Sequence, residues 1–139
     1  MKAILDASTA LKAVLPEAGA DQALRLLDEY RNGVHQFISP DVFLAEIGHA
    51  LTRAERKKVI PIGDAAIHFD FLMTPPPELR SIAPLMSRAI ELSSETRTAI
   101  YDCLYFVLAL DEDCEIITAD LKFFKAFESS GRIIDLARL

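Results

Sequence analysis

This sequence predicts an α/β domain built on a parallel sheet, and three observations carry that prediction. Short apolar runs alternate along the chain with longer stretches of helical periodicity, the pattern of strands joined by crossover helices. Of the 139 residues, 51% are hydrophobic, ample for one packed core. No linker, internal repeat or shift of composition divides the chain, so residues 1–139 read as one domain.

The elements follow in order. Ala3, Ile4 and Leu5 form a first strand that runs into Asp6. Ser8 and Thr9 then offer helix N-caps, and Pro16 ends that short helix. Ala20, Ala23, Leu24, Leu27 and Tyr30 recur at helical spacing and predict a helix over 20–32, with Gly33 suited to the position just past its end. Residues 34–38 read as a strand, and Ser39-Pro40-Asp41 as an N-cap with proline in the first turn. The helix over 40–58 puts Phe43, Ile47, Ala50, Leu51 and Ala54 on one face. A further helix spans 62–73, where Phe69, Phe71, Leu72 and Met73 serve either the core or an interface. Pro75, Pro76 and Pro77 then break the chain. A short strand over 79–82 and a helix over 84–92 lead to a strongly apolar helix over 99–111, capped by Thr98. Residues 115–118 make a strand leading to Asp120, 123–127 a short amphipathic helix, and 132–134 a last strand after Gly131.

Charge narrows the function classes. Fifteen Lys and Arg against 21 Asp and Glu leave a net charge of −6, the wrong sign for a protein that coats nucleic acid passively. An enzyme that meets phosphates through bound cations remains open. Two cysteines, Cys103 and Cys114, make no disulfide framework and no Cys-x-x-Cys site, so two free thiols are expected. Residues 1–15 lack a signal-peptide pattern, and an uncharged stretch such as 103–110 falls far short of the ~20 apolar residues of a membrane span. A soluble, cytoplasmic protein is expected.

Ligands in an open parallel sheet bind beyond the carboxyl ends of the strands. Asp6 and Asp120 are delivered there by position, although an Asp after a strand also commonly caps the next helix. Asp102 is the one charged residue between Thr98 and Leu110, on a helix apolar all round. Its helix-dipole position is one explanation. A carboxylate that must find a cation, a proton or several donors is the other. Glu46 sits at the edge of the apolar stripe of its helix, where pairing with Arg53 or Lys57 is the plain alternative to function. Carboxylates ~4 Å apart repel by ~4 kcal/mol at an effective dielectric near 20, so four converging acids need a metal. Oxygen-only ligands suit Mg²⁺ or Mn²⁺. His35, His49 and His68 have no metal-ligand spacing, and the five glycines form no phosphate loop. Arg53, Arg56, Lys57 and Lys58 form the densest basic patch, either a solvated helix end or a surface that tracks phosphates.

The segments Leu5-Asp6-Ala7-Ser8, Ala45-Glu46-Ile47-Gly48-His49-Ala50-Leu51, Tyr101-Asp102-Cys103-Leu104-Tyr105 and Ile117-Thr118-Ala119-Asp120, in that order and spacing, resemble PIN-domain nucleases. Within that family they look like the VapC-type toxins of prokaryotic toxin–antitoxin pairs. The resemblance covers nearly the whole chain. It implies a three-layer α/β/α sandwich with a central parallel sheet, an Mg²⁺- or Mn²⁺-dependent ribonuclease, a homodimer and a cognate antitoxin. It implies an acidic site of Asp6, Glu46, Asp102 and Asp120, with Ser8 and Thr118 as hydroxyl companions. The basic patch supplies Arg53, Arg56 and Lys57 as candidate RNA contacts. Two other readings stand beside it: a PIN-like module that binds a basic partner without catalysis, and a phosphatase with Asp6 as nucleophile. The phosphatase lacks its second aspartate, since Ser8 stands two residues on.

Overall fold

The computed structural model describes residues 1–139. Its elements are β1 (Lys2–Leu5), α1 (Ala7–Lys12), α2 (Ala20–Arg31), β2 (Gln36–Pro40), α3 (Val42–Arg56), α4 (Asp64–Leu72), β3 (Glu78–Arg80), α5 (Met86–Thr96), α6 (Ile100–Glu112), β4 (Glu115–Thr118), α7 (Leu121–Phe127) and β5 (Ile133–Asp135), with 3-10 turns at Ala83–Leu85, Glu128–Ser130 and Leu136–Arg138. The five strands form one sheet in the order β3-β2-β1-β4-β5, every neighbouring pair parallel.

Register divides the sheet into two faces. Ile4 lies opposite Ile38 and Ile116, and Ile116 opposite Ile133. These side chains share one core with α5, α6 and α7. Ala3 lies opposite Phe37, and Leu5 opposite Ile117. These point the other way, into a core with α1 to α4. The period-two alternation of a strand thus builds a three-layer α/β/α sandwich. The layering follows from right-handed crossovers: the chain moves outward from β1 to β3 with its helices on one face, then reverses to β4 and β5 with its helices on the other. The reversal opens a crevice at the carboxyl ends of β1 and β4.

α6 is the central helix of its layer. Cys103 through Ala109 are all buried, as an apolar surface on every side requires. No helix is long and apolar enough to cross a membrane. Both cysteines are free and buried.

Four local expectations need correction. Ser8 and Thr9 do not cap α1. Asp6 holds the N-cap position without a side-chain cap bond, while the Thr9 hydroxyl donates to the Ile117 carbonyl at 2.9 Å. β2 lies two residues later than 34–38, because the Val34 amide is taken by the Glu29 carbonyl at the end of α2. Ser39-Pro40 is consequently strand and not cap: the Ser39 hydroxyl donates to the Leu5 carbonyl at 2.7 Å, and Pro40 pairs with Arg80. Thr98 does not cap α6, whose N-cap is Ala99; the Thr98 carbonyl accepts instead from the Ser93 hydroxyl. Of the apolar group on α4, Leu72 is buried, and Phe69 and Met73 pack against the core. Phe71 lies under the Arg31 guanidinium.

Candidate functional site

The crevice between β1 and β4 is lined by a network of hydroxyls and carboxylates. The Asp6 amide donates to the Ile117 carbonyl at 3.1 Å, so the ladder between the two central strands continues one residue past β1. That contact holds the Asp6 side chain at the mouth of the crevice, only 5% exposed. Its Oδ2 accepts from the Ser8 hydroxyl and from the Thr118 hydroxyl at 2.7 Å. The same two hydroxyls accept from the amides of Ala119 and Asp120 at 3.0 and 3.1 Å. Ser8 and Thr118 therefore join the corner after β1 to the corner after β4. Burial raises the Asp6 carboxyl above its ordinary value, the two hydroxyls pull it down, and the Asp120 charge adds to the rise.

Asp120 is both cap and site wall. Its Oδ1 accepts from the amides of Lys122 and Phe123 at 2.9 and 3.2 Å, opening α7, and its side chain lines the cavity. The capping explanation therefore holds for one of its two oxygens.

Asp102 stands in the first turn of α6 and faces the same cavity. It has neither hydrogen bond nor ion pair. Burial, then the Asp6 and Asp120 charges, push its carboxyl up to about 7, with Lys122 opposing. Glu46 on α3 does not pair with Arg53 or Lys57. Its Oε1 accepts from the Tyr105 hydroxyl at 2.7 Å. Burial pushes it up to about 7; the Tyr105 bond pulls it down, and the Asp6 and Asp102 charges push it up again.

All four acids border one open cavity of about 760 Å³, together with Ser8, His49, Arg53 and Tyr101. They ring the cavity without closing on a point, and no three of them form a finished metal cage. The donor set nonetheless fits a hard divalent cation: oxygen ligands only, mutual repulsion without a counter-ion, and an Asp102 carboxylate with no partner in the protein. The basic candidates divide. Arg53 lines this cavity, Arg56 lines a separate one with Lys58 and Val59, and Lys57 is the C-cap of α3.

Sequence reasoning passed over Tyr105, His49 and Tyr101. His49 and Arg53 stand three and seven residues after Glu46 and so share its helix face, a signal the sequence contained. Tyr105 carried none, because a tyrosine in an apolar helix reads as core.

The PIN domain family model matches residues 3–128. No curated protein sequence matches the chain. Among solved structures, the crystal structure of PAE2754 from Pyrobaculum aerophilum is similar with a TM-score of 0.69 at 16% identity, over 99% of this chain and 94% of that one. A toxin–antitoxin complex from Klebsiella pneumoniae is similar with a TM-score of 0.64 at 16% identity, over 96% and 97%. VapBC2 from Rickettsia felis, bound to a DNA fragment from its promoter, gives 0.63 at 18% identity, over 90% and 92%. At such identities these are likenesses of fold.

Proposed function

The chain belongs to the PIN domain family, and from that premise we propose that it is a divalent-metal-dependent endoribonuclease, the toxin of a toxin–antitoxin pair. The carrying observation is the ring of Asp6, Glu46, Asp102 and Asp120 around one cavity, with Asp102 left unpartnered. The likeness in fold to a Klebsiella toxin–antitoxin complex and to the Rickettsia VapBC2 complex supports the toxin assignment. A cognate antitoxin, a homodimer and a cytoplasmic location belong to the same proposal.

Asp6 and Asp102 would hold the principal Mg²⁺ or Mn²⁺, with Glu46 and Asp120 completing the ring. The ion, when bound, lowers the pKa of its water and stabilises charge on the phosphate. Ser8 and Thr118 keep the Asp6 carboxylate in one orientation. Arg53, which lines the cavity from the same helix as Glu46, would receive the phosphate backbone. Water oxygen bonds to phosphorus as the bond to the 3′ oxygen breaks, leaving a 5′-phosphate and a 3′-hydroxyl. The RNA 2′-hydroxyl takes no part.

Incubation of the purified protein with structured RNAs tests the proposal. Cleavage is expected with Mg²⁺ or Mn²⁺ and not with EDTA. Cleavage that survives both EDTA and Asp6→Asn would overturn it.

The basic residues give a second prediction. Arg53→Ala should weaken RNA binding and reduce the slope of log affinity against log salt by about 0.7, the loss of one single-strand phosphate contact. Arg56→Ala, on its separate cavity, should change that slope less. Filter binding at four salt concentrations measures both, and a larger effect at Arg56 would move the RNA path off the acidic cavity.

A further inference from the structure

Tyr105 is the buried polar group at this site whose role the four acids leave unexplained. It lies three residues after Asp102, one turn along α6, and is 0% exposed. Its ring sits edge-on to Phe123, centroids 6.4 Å apart, inside the core. A phenylalanine would make that packing contact equally well. A buried hydroxyl is costly unless it is bonded, and the side-chain partner of this one is Glu46. α6 belongs to one helical layer and α3 to the other, so the 2.7 Å bond passes over the carboxyl edge of the sheet and ties the two layers together at the cavity. Glu46 has three rotatable side-chain bonds and is half-buried. The bond to Oε1 holds one rotamer and leaves Oε2 without a partner in the protein.

We propose that Tyr105 is a positioning residue of the acidic centre: its hydroxyl holds the Glu46 carboxylate so that the remaining oxygen serves the divalent cation. The inference rests on the metal-dependent nuclease reading above. Tyr105 touches neither cation nor RNA; it acts through Glu46. Partners of metal ligands that lie outside the coordination sphere commonly change metal affinity by about 10–100-fold when removed.

The test is a Mn²⁺ titration of the intact chain, followed by calorimetry and by the rise in melting temperature, in wild type, Tyr105→Phe, Glu46→Gln and the double variant. Circular dichroism checks folding. Tyr105→Phe is expected to raise the Mn²⁺ half-saturation concentration about tenfold or more. In the Glu46→Gln background the same substitution is expected to change it less than about twofold, since coupled residues are non-additive. A half-saturation unchanged by Tyr105→Phe, or raised equally in both backgrounds, would overturn the proposal. Should Tyr105→Phe not fold, Glu46→Asp carries the test. It keeps the charge one methylene short of the hydroxyl and should weaken Mn²⁺ to a similar extent; Mn²⁺ binding as tight as wild type overturns the proposal. Asp102→Asn separates the two levels of argument. A Mn²⁺ response lost in Asp102→Asn but intact in Tyr105→Phe removes the role of Tyr105 and leaves the metal site standing. No Mn²⁺ response in wild type removes both.

Discussion

Asp102→Asn is expected to give a metal-free protein that melts above wild type at pH 8 and does not respond to Mg²⁺. The sign follows from proton counts. In the folded chain the Asp102 and Glu46 carboxyls are raised to about 7, while in the unfolded chain they titrate in the ordinary carboxylate range near 4. Between those values the folded state holds protons that the unfolded state has released. Stability therefore declines as pH rises through this window, with the decline complete above about 7. Asparagine removes the share due to Asp102. That share would be roughly 4 kcal/mol at full burial, but Asp102 is partly exposed to water, so on the order of 1–2 kcal/mol is expected. In a chain of this size that is about 3–8 °C. Under the proposed metal dependence the cation should act in the opposite sense: at 100 times its Kd it should stabilise wild type by about 2.7 kcal/mol. That effect should fade at pH 5, where protons compete for the ligands. Thermal melts at pH 5 and pH 8, with and without Mg²⁺, decide the matter. Equal Mg²⁺ shifts in both proteins would show that Asp102 is no ligand.

Asp6→Asn should lower the rate of RNA cleavage on the order of 10²–10³-fold without unfolding the protein. Asparagine occupies nearly the same volume, and its carbonyl oxygen can still accept from Ser8 and Thr118, the partners of Asp6 Oδ2. Geometry is kept and charge is lost. Metal-assisted stabilisation of the transition state is worth several kcal/mol, and each 1.36 kcal/mol is about tenfold in rate. Because burial already disfavours the Asp6 carboxylate, the metal-free variant should be at least as stable as wild type. Loss of activity with retained stability identifies a functional acid; loss of both would mean that the charge serves the fold. Single-turnover cleavage of a labelled RNA, paired with a melting curve, reads both quantities.

The order of elements and the sheet were legible in the sequence because apolar alternation and helical periodicity report burial directly. The register of β2 was not. Val34 and His35 have strand-like side chains, but the end of α2 claims the Val34 amide. Pro40, a poor strand residue inside a sheet, is tolerated at the strand's last position. The four acids could be placed on strand ends and helices from sequence, and Asp102 stood out because no other residue between Thr98 and Leu110 is charged. What could not be read was Glu46 turning from the basic residues of its own helix toward a tyrosine of the opposite layer. Neighbours along a helix are visible in sequence; neighbours across a sheet are not. Lys57 shows a milder limit. It would share the Glu46 face on a continued helix, but α3 ends at Arg56.

Asp6 and Thr118 meet at the crevice although 112 residues separate them, and β1 receives its second neighbour only when β4 docks. On the ribosome, most of the polypeptide is therefore synthesised before the corner between Asp6 and Thr118 can close. A translation product that stops short of β4 carries Asp6, Glu46 and Asp102 but lacks Thr118 and Asp120, so nothing in it can clasp the Asp6 carboxylate from the far side of the crevice.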